Sequence, residues 1–355
     1  MSGVISFPEL GLRQRPELFD ALIAHSFEGD LVEASFGDRR GWIIIDPASA
    51  RDLLRRRLPK GRSTASRKAA GGYPSLSGAE FHRGRRDVVV ALAHAASDTK
   101  SMATSLAASI GPVPPPREDA PAVYTRWMLH DLAGGASELL DLDVLIDGVE
   151  AAVTDAEAAQ DGNSAPRDTA ISRSVLTRSL AERVDDAGTA FLATMRELRW
   201  STPAIVEELI GLALAGWEST AAAVTTARTL GLSESPTVAE VAELLRLYPP
   251  SWLIVRQLTG DEPFGASGEL AVVSPWLSHR SPAWRDAHRF DPARTDDAAA
   301  LPFGAGPRRC PADSYARAQI AVALGAFGGA EPRRARPALI GRRSAALIPD
   351  PETTP

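Results

Sequence analysis

The chain has little cysteine, little lysine and no long apolar run. A single cysteine among 355 residues excludes a disulfide framework and is typical of a reducing compartment, so the sequence predicts a cytoplasmic protein. No apolar stretch approaches the length that crosses a bilayer. The residues after Met1 also lack the basic and apolar regions of a signal peptide. We therefore expect no membrane anchor.

Charge and composition exclude a second group of functions. The net charge of −6 argues against nucleic-acid binding, which requires a basic surface. The hydrophobic content of 44% is that of an ordinary globular chain with a large core. Arginine far outnumbers lysine and alanine is abundant, which indicates a GC-rich bacterial genome rather than a particular chemistry.

Apolar spacing and turn residues predict a chain of many helices and a few strands. The predicted elements are a helix over 7–28, a hairpin over 31–45, a helix over 47–54 capped by Asp46, a loop over 58–78, a helix beginning at Ser77, a long helix over 201–229, a helix over 237–248 and a hairpin past Gly328.

The stretch 301–312 holds the chain's cysteine and has an unusual composition. Gly304 and Gly306 allow the loop to bend and to bring its backbone close to a ligand. Arg308 and Arg309 add fixed positive charge suited to carboxylates. A lone cysteine is more often a small buried core residue, but glycines and arginines are not typical of a core segment. We therefore interpret the stretch as a ligand-binding loop.

Pro311 directly follows Cys310. Because proline is favoured at the first helical position, this order predicts a helix whose cap is Cys310. The positive end of such a helix would lower the pKa of the thiol and suit the thiolate to ligate a metal.

This loop resembles the haem-thiolate loop of the cytochrome P450 family. The family pattern is Phe, two residues, Gly, one residue, Arg, one residue, Cys, one residue and Gly. Phe303, Gly306, Arg308 and Cys310 match it, and Ala312 replaces the last glycine. The resemblance implies that the cofactor is haem b (iron protoporphyrin IX), that Cys310 is its axial ligand, and that the other three matching residues help to bind it.

The long predicted helix over 201–229 has clear start signals. Ser201 or Thr202 can cap it and Pro203 lies in its first turn. Glu207 and Glu208 lie near its positive end.

The middle of this helix holds a glycine, an acid and hydroxyls. A glycine inside a helix costs about 1 kcal/mol relative to alanine, and a buried acid is also costly. Ala215, Gly216, Glu218 and Ser219 resemble the family's oxygen-binding motif, Ala-Gly-x-Glu/Asp-Thr, with serine in place of threonine. The resemblance implies that the helix opens here and that Glu218 and Ser219 deliver protons, with Thr220 as a possible substitute. The alternative is a small-residue helix contact whose polar groups face solvent.

The helix beginning at Ser77 carries a basic pair. Ser77 and Glu80 have the spacing of a capping box. His82 and Arg86 are four residues apart and share one helix face. Alone, such a pair is more often a solvated basic face, but in the family this spacing belongs to residues that bind the haem propionates. The resemblance extends that role to His82 and Arg86.

Several later motifs follow in the family's order. Glu243 and Arg246 can pair on one helix face, and they stand before Leu-Tyr-Pro-Pro as does the family's buried structural lock. Arg256 matches a family arginine that binds a propionate, and Phe-Asp-Pro-Ala-Arg occupies 290–294. The connection 230–236 is shorter than in the family, which predicts that one surface helix is reduced or lost there.

The resemblance implies a mainly α fold with small β-sheets and haem between the long central helix and the helix after the cysteine loop. It implies one domain over 1–350, with a β-containing part at 30–60, helical parts at 75–250 and 310–328, and a polar tail at 351–355. It also implies a substrate pocket with walls near 60–80 and from two apolar segments, represented by Leu212, Ala215, Gly216, Trp252, Leu253 and Ile254.

The function implied by the resemblance is that of a soluble bacterial haem-thiolate monooxygenase, shorter than typical members. It would oxidise a lipophilic small molecule of secondary metabolism, such as a terpenoid, as a monomer. It would use dioxygen and electrons from a ferredoxin and its ferredoxin reductase. Two alternatives stay open: a family member that uses peroxide or performs coupling, dehydration or isomerisation, and a non-catalytic partner subunit.

Overall fold

A computed structural model describes residues 5–8, 16–25, 29–59, 65, 68–69, 71–134, 140–160, 163–164, 166–186, 188–295, 300–341 and 343–350. The chain divides into two compact units. The first unit comprises 1–61, 222–310 and 328–355, and the second comprises 62–221 and 311–327. The prediction of one domain over 1–350 stays a prediction, and the predicted tail at 351–355 lies outside the described residues.

The first unit contains both sheets. Strands β1 (Ile5–Phe7), β2 (Leu31–Phe36), β3 (Arg39–Ile44), β4 (Ile254–Gln257) and β5 (Leu270–Val273) form one sheet in the order β1-β2-β3-β5-β4. Strands β6 (Ala335–Ile340) and β7 (Ser344–Pro349) form a separate antiparallel hairpin.

The helices are distributed over both units. In chain order they are α1 (Pro16–Ala24), α2 (Pro47–Arg55), α3 (Gly78–Ser97), α4 (Thr99–Ile110), α5 (Ala120–Ala133), α6 (Leu142–Gln160), α7 (Arg167–Asp186), α8 (Ala190–Glu197), α9 (Thr202–Gly216), α10 (Ser219–Thr229), α11 (Val238–Leu247), α12 (Pro275–Ser278) and α13 (Asp313–Phe327). Helices α3 to α9 and α13 belong to the second unit, and α10 passes from the second into the first. The predicted mainly α fold with small sheets is confirmed.

The predicted hairpin over 31–45 is confirmed, but the sheet begins earlier than predicted. β2 and β3 pair in antiparallel register around Gly37. β1 pairs in parallel with β2, so Phe7 ends a strand instead of starting a helix. The ring of Phe7 stacks on Phe36, with 5.6 Å between centroids, and this burial outweighs the helical spacing of the local sequence.

α3 and α11 begin where predicted, but the hydrogen bonds that cap them differ from the prediction. The capping box of α3 is absent, because the Ser77 side chain forms no cap hydrogen bond, and Gly78, with φ of 55°, redirects the chain there. A capping box is instead complete at α11, where Thr237 and Glu240 bond reciprocally. Its Thr-x-x-Glu spacing was present in the sequence but was not part of the prediction.

The connection between α10 and α11 contains no helix, as predicted. Gly231, with φ of 74°, ends α10, and the Leu232 amide donates to Ala227 O at 3.0 Å in the arrangement of a Schellman cap. The C-terminal segment runs along this connection, since the Gly329 amide donates to Leu232 O at 2.8 Å. In the described part of the chain, no helix combines the length and apolar character needed to span a bilayer.

Candidate active site

The cysteine loop is closed by its own backbone. The Cys310 amide donates to Phe303 O at 2.8 Å, and the Gly304 amide donates to Leu301 O at 2.9 Å. A 3-10 turn lies between these bonds, over Gly306–Arg308. Leu301 is buried, whereas 302–308 and Cys310 are only half-buried. The loop therefore holds the cysteine in a fixed, accessible position.

Gly306 allows this loop to lie directly on α2. Its φ is 69°, a conformation that glycine adopts without strain. A Cβ at this position would collide with the Leu54 carbonyl and lie 2.6 Å from Arg55 Cα. The sequence predicted that glycine here would bring the loop close to a ligand. In the structure, the group that Gly306 approaches closely is the backbone of α2.

The helix after the cysteine begins later than predicted. Its first residue is Asp313, and the Ala316 amide donates to Ala312 O at 2.7 Å. Cys310 therefore precedes the helix and does not cap it, and Pro311 lies in the turn between them. The role of Cys310 as a ligand stays a prediction.

Glu243 and Arg246 form a buried ion pair on α11. The Arg246 Nε donates to Glu243 Oε2 at 2.7 Å, and Nη2 donates to Oε1 at 2.8 Å. Both side chains are at most 4% exposed. Arg294, from the predicted Phe-Asp-Pro-Ala-Arg motif, adds a second cation with its Nε 3.3 Å from Glu243 Oε1. The pair is thus buried and bonded on both sides, and its role as a structural lock stays a prediction.

His279 connects this lock to the cysteine loop. Arg246 Nη1 donates to His279 O at 2.7 Å, the ring Nδ1 lies 2.6 Å from Arg246 O, and the Leu301 amide donates to Nε2 at 2.7 Å. Nε2 must therefore be an acceptor and Nδ1 the donor, so the ring is neutral. Burial lowers the pKa of His279 to about 3, in agreement with this tautomer. Sequence reasoning did not identify His279.

Arg256 on β4 is the predicted propionate ligand whose surroundings fit that role. Burial, with the positive charge of Arg308 as second cause, lowers the pKa of Arg256 to about 10. Its described hydrogen bond goes to Val255 O at 2.9 Å, and no carboxylate in the described part of the chain pairs with it. A buried cation beside a second cation fits an anionic group, so Arg256 and Arg308 suit the carboxylates of haem.

In the second unit, the long predicted helix is interrupted at the predicted motif. α9 ends at Gly216 and α10 begins at Ser219. The Trp217 carbonyl, in the break, accepts a hydrogen bond from Thr125 Oγ1 at 3.3 Å. Glu218 is 5% exposed. The break therefore places a buried acid directly before a hydroxyl.

Ser219 and Thr220 differ in their partners. The half-buried Ser219 Oγ donates to Gly216 O at 3.4 Å, across the break. Thr220 is buried and its Oγ1 donates to Gln319 Oε1 of α13 at 3.3 Å. Gln319 Nε2 is buried without a hydrogen-bond partner. Of these two hydroxyls, the Ser219 hydroxyl bonds across the break, whereas the Thr220 hydroxyl bonds to α13.

His82 and Arg86 are both exposed on α3. Arg86 donates to its neighbour Asp87 with Nη2 at 3.2 Å, and the role of both residues toward propionates stays a prediction. A third basic residue, Arg85, was not identified from the sequence. Its Nη1 is buried without a hydrogen-bond partner, which also fits an anionic ligand.

The predicted pocket residues have different surroundings. On α9, Ala215 is exposed, Gly216 is half-buried and Leu212 is buried. Trp252 is 1% exposed and meets Phe19 edge-to-face at 5.0 Å, so it is a core residue and not part of a pocket wall. Leu253 is buried in the same core cluster, and Ile254 packs partly buried against a second cluster. Of the segment near 60–80, residues 60–64, 66–67 and 70 lie outside the described residues.

Comparison with known sequences identifies one family. A model of the cytochrome P450 family matches residues 237–327. The cyclooctatin synthase of Streptomyces melanosporofaciens is 33% identical over 101 residues, which are 25% of this chain and 22% of that protein. The pentalenene oxygenase of Streptomyces avermitilis is 36% identical over 97 residues, 24% of this chain and 22% of that protein. The matched segment thus spans about a fifth of these relatives.

Comparison with solved structures extends the similarity over nearly the whole chain. The cytochrome P450 CxnD, described as an enzyme for C–S bond formation in chuangxinmycin biosynthesis, aligns with a TM-score of 0.70 at 14% identity. The alignment covers 98% of this chain and 96% of that one. The mycinamicin VIII C21 methyl hydroxylase of Micromonospora griseorubida aligns with a TM-score of 0.65 at 18% identity, covering 97% and 98%. At these identities the similarity shows the fold.

Proposed function

Because the chain belongs to the cytochrome P450 family, we propose that it is a haem-thiolate monooxygenase that oxidises a lipophilic small molecule. The interruption of the long helix between α9 and α10 supports this proposal most directly. It places the buried Glu218 beside Ser219, as proton delivery to dioxygen requires. A helix serving only as packing would gain nothing from a break that contains a buried acid.

The residues assigned to the cofactor follow from the fit of their side chains. Cys310 would ligate the iron, and Arg256 and Arg308 would bind the propionates by charge-assisted hydrogen bonds. His82 and Arg86 are proposed for the same role on the basis of the family pattern. When bound, haem with a thiolate ligand supplies the chemistry of O–O cleavage.

The chain's own contribution is to position groups and to control protons. Glu218 would take protons from solvent and pass them to the Ser219 hydroxyl, which would donate them to dioxygen during its reduction. The Gly216 carbonyl holds Ser219 Oγ at 3.4 Å and so orients the hydroxyl at the break. The exposed Ala215 offers a small apolar wall beside it for substrate.

The substrate class and the electron source belong to the same proposal. Two bacterial relatives are named cyclooctatin synthase and pentalenene oxygenase, which favours a terpenoid or a similar secondary metabolite as substrate. Electrons would come from a ferredoxin and ferredoxin reductase, with the protein acting in the cytoplasm as a monomer.

The proposed use of dioxygen and ferredoxin electrons can be tested against the use of hydrogen peroxide. Purified haem-loaded protein is incubated with a panel of lipophilic candidates, either with dioxygen, ferredoxin, its reductase and NADPH, or with hydrogen peroxide alone. We expect oxidised product from the first mixture and little from the second, since Glu218 and Ser219 serve stepwise proton delivery. Product from peroxide alone would contradict the proposal, and boiled protein is the control.

Replacing each hydroxyl in turn tests whether Ser219 or Thr220 relays the protons. Ser219→Ala is expected to lower product formed per NADPH consumed by at least about tenfold and to increase peroxide release, since a positioned acid contributes about 100-fold or more to proton transfer. Thr220→Val keeps the side-chain shape and removes a hydroxyl that is bonded to Gln319, so coupling should stay near the wild-type value. The reverse pattern would assign the relay to Thr220.

A further inference from the structure

Residues 71–73 lie against one face of α9, and Tyr73 and Leu76 also lie beside Gly84 of α3. Gly71 and Gly72 have φ of 77° and 68°, and Tyr73–Ser75 form a 3-10 turn. Ser75 Oγ donates to Gly72 O at 2.7 Å and fixes that turn. We call residues 71–76 the strap.

The strap and α9 both carry glycine where they meet, which allows their backbones to approach closely. A Cβ at Gly211 would lie 3.5 Å from Gly72 Cα, and a Cβ at Gly72 would lie 3.0 Å from Glu208 Oε2. Glu208, Gly211 and Ala215 follow at helical spacing on one face of α9. The strap covers the first two, whereas Ala215, beside the helix break, is exposed.

One buried carboxylate connects the strap to the helix. The Tyr73 amide donates to Glu208 Oε2 at 2.7 Å, and Glu208 is 1% exposed. Burial to this degree disfavours the charged form of a carboxyl group relative to the same group in water. Adding a proton favours the closed strap, and losing it favours an arrangement in which water reaches Glu208.

We propose that Glu208 is a proton-dependent latch, whose neutral carboxyl keeps the strap closed on α9 and whose ionisation releases it. Under the proposed function, on which this consequence rests, release of the strap uncovers the helix face that leads to Ala215. Substrate entry would then depend on pH.

The charged groups around the latch are paired with one another. Arg173 of α7 bonds Glu207 of α9 (Nη2–Oε2 3.2 Å) and Asp155 of α6 (Nη1–Oδ2 3.6 Å), and it also donates to Ala69 O, just before the strap. α5 meets α9 at its other end, where Met128 lies near Gly216. Burial raises the pKa of Glu208 to about 7, and the Tyr73 hydrogen bond opposes this rise.

The direction of the pH effect follows from these values. Between the ordinary pKa of 4.5 and the buried value of about 7, the closed strap holds a proton that the open strap loses. The opening constant therefore rises with pH in this interval, by at most about tenfold per pH unit. Above a pH of about 7 both forms are ionised and the constant becomes level.

Hydrogen–deuterium exchange of the purified full chain tests the latch without any substrate. After correction for the intrinsic pH dependence of exchange, protection of a peptide that covers the strap should fall between about pH 5 and about pH 8, at most about seventyfold. Glu208→Gln keeps the shape and cannot ionise, so its protection should stay at the acidic wild-type level throughout.

Glu207→Gln is the matched control. It neutralises the adjacent acid, whose side chain is 44% exposed and paired with Arg173, so the pH dependence of the strap should remain. A wild-type strap whose corrected protection is the same at all pH values would overturn the proposal, even if Glu208→Gln failed to fold. A Glu208→Gln profile that follows the wild type would overturn it as well. Neither result bears on haem ligation, which is tested separately through Cys310.

Discussion

Cys310→Ala is expected to abolish the carbon monoxide spectrum that marks a thiolate-ligated haem. The chain has a single cysteine, so no other thiolate can replace it. The loop around it is closed by backbone bonds from Cys310 to Phe303 and from Gly304 to Leu301, which alanine can keep. The variant should therefore fold, and the loss should be spectral rather than structural.

The measurement is the difference spectrum of the reduced protein with and without carbon monoxide, beside a circular dichroism spectrum. Arg309→Gln serves as control, since it changes an exposed neighbour in the loop and should keep the thiolate signal. A Cys310→Ala protein with an intact thiolate-type spectrum would show that Cys310 is not the ligand. A wild-type protein that binds no haem would favour the non-catalytic alternative.

Arg246→Met is expected to lower the free energy of unfolding by about 3–5 kcal/mol, the usual cost of leaving one charge of a buried pair without its partner. Glu243 would retain Arg294 at 3.3 Å and the Asp291 amide at 3.0 Å, which favours the lower end of this range. Arg246 also donates to the carbonyls of His279 and Ala287. These acceptors would lose their donor at the same time.

Urea unfolding followed by circular dichroism measures this loss. Arg317→Met is the matched control, because Arg317 pairs with Asp313 in a more exposed bond of 2.8 Å. Its replacement should cost at most about 1 kcal/mol. Equal effects of Arg246→Met and Arg317→Met would refute the lock.

Local sequence signals were sufficient to predict elements whose structure depends on a single short segment. Gly37 marks the hairpin of β2 and β3. Asp46 before Pro47 marks α2, and its Oδ2 accepts the Ser49 amide at 2.7 Å. Order along the chain was sufficient to predict the Glu243–Arg246 ion pair, whose spacing alone is a weak signal.

Features that depend on distant segments could not be predicted in this way. Glu207 and Glu208 appear in the sequence as two acids near the positive end of a helix, yet the structure pairs the first with Arg173 and buries the second under the strap. His279 has no sequence signal, because its two partners, Arg246 and Leu301, are far away along the chain. Such contacts require the tertiary fold.

The first unit is built from three separate stretches of the chain, and this has a consequence for biosynthesis. β3 pairs with β5, and the end of α10 is bonded to β7, where the Leu347 amide donates to Thr226 Oγ1 at 3.0 Å. These partners are separated by more than a hundred residues, and contacts of such separation form slowly. During translation, residues 62–221 of the second unit are available as one continuous segment. The first unit cannot be completed until the ribosome has released β7, so its early strands need protection from premature edge pairing while the chain is synthesised.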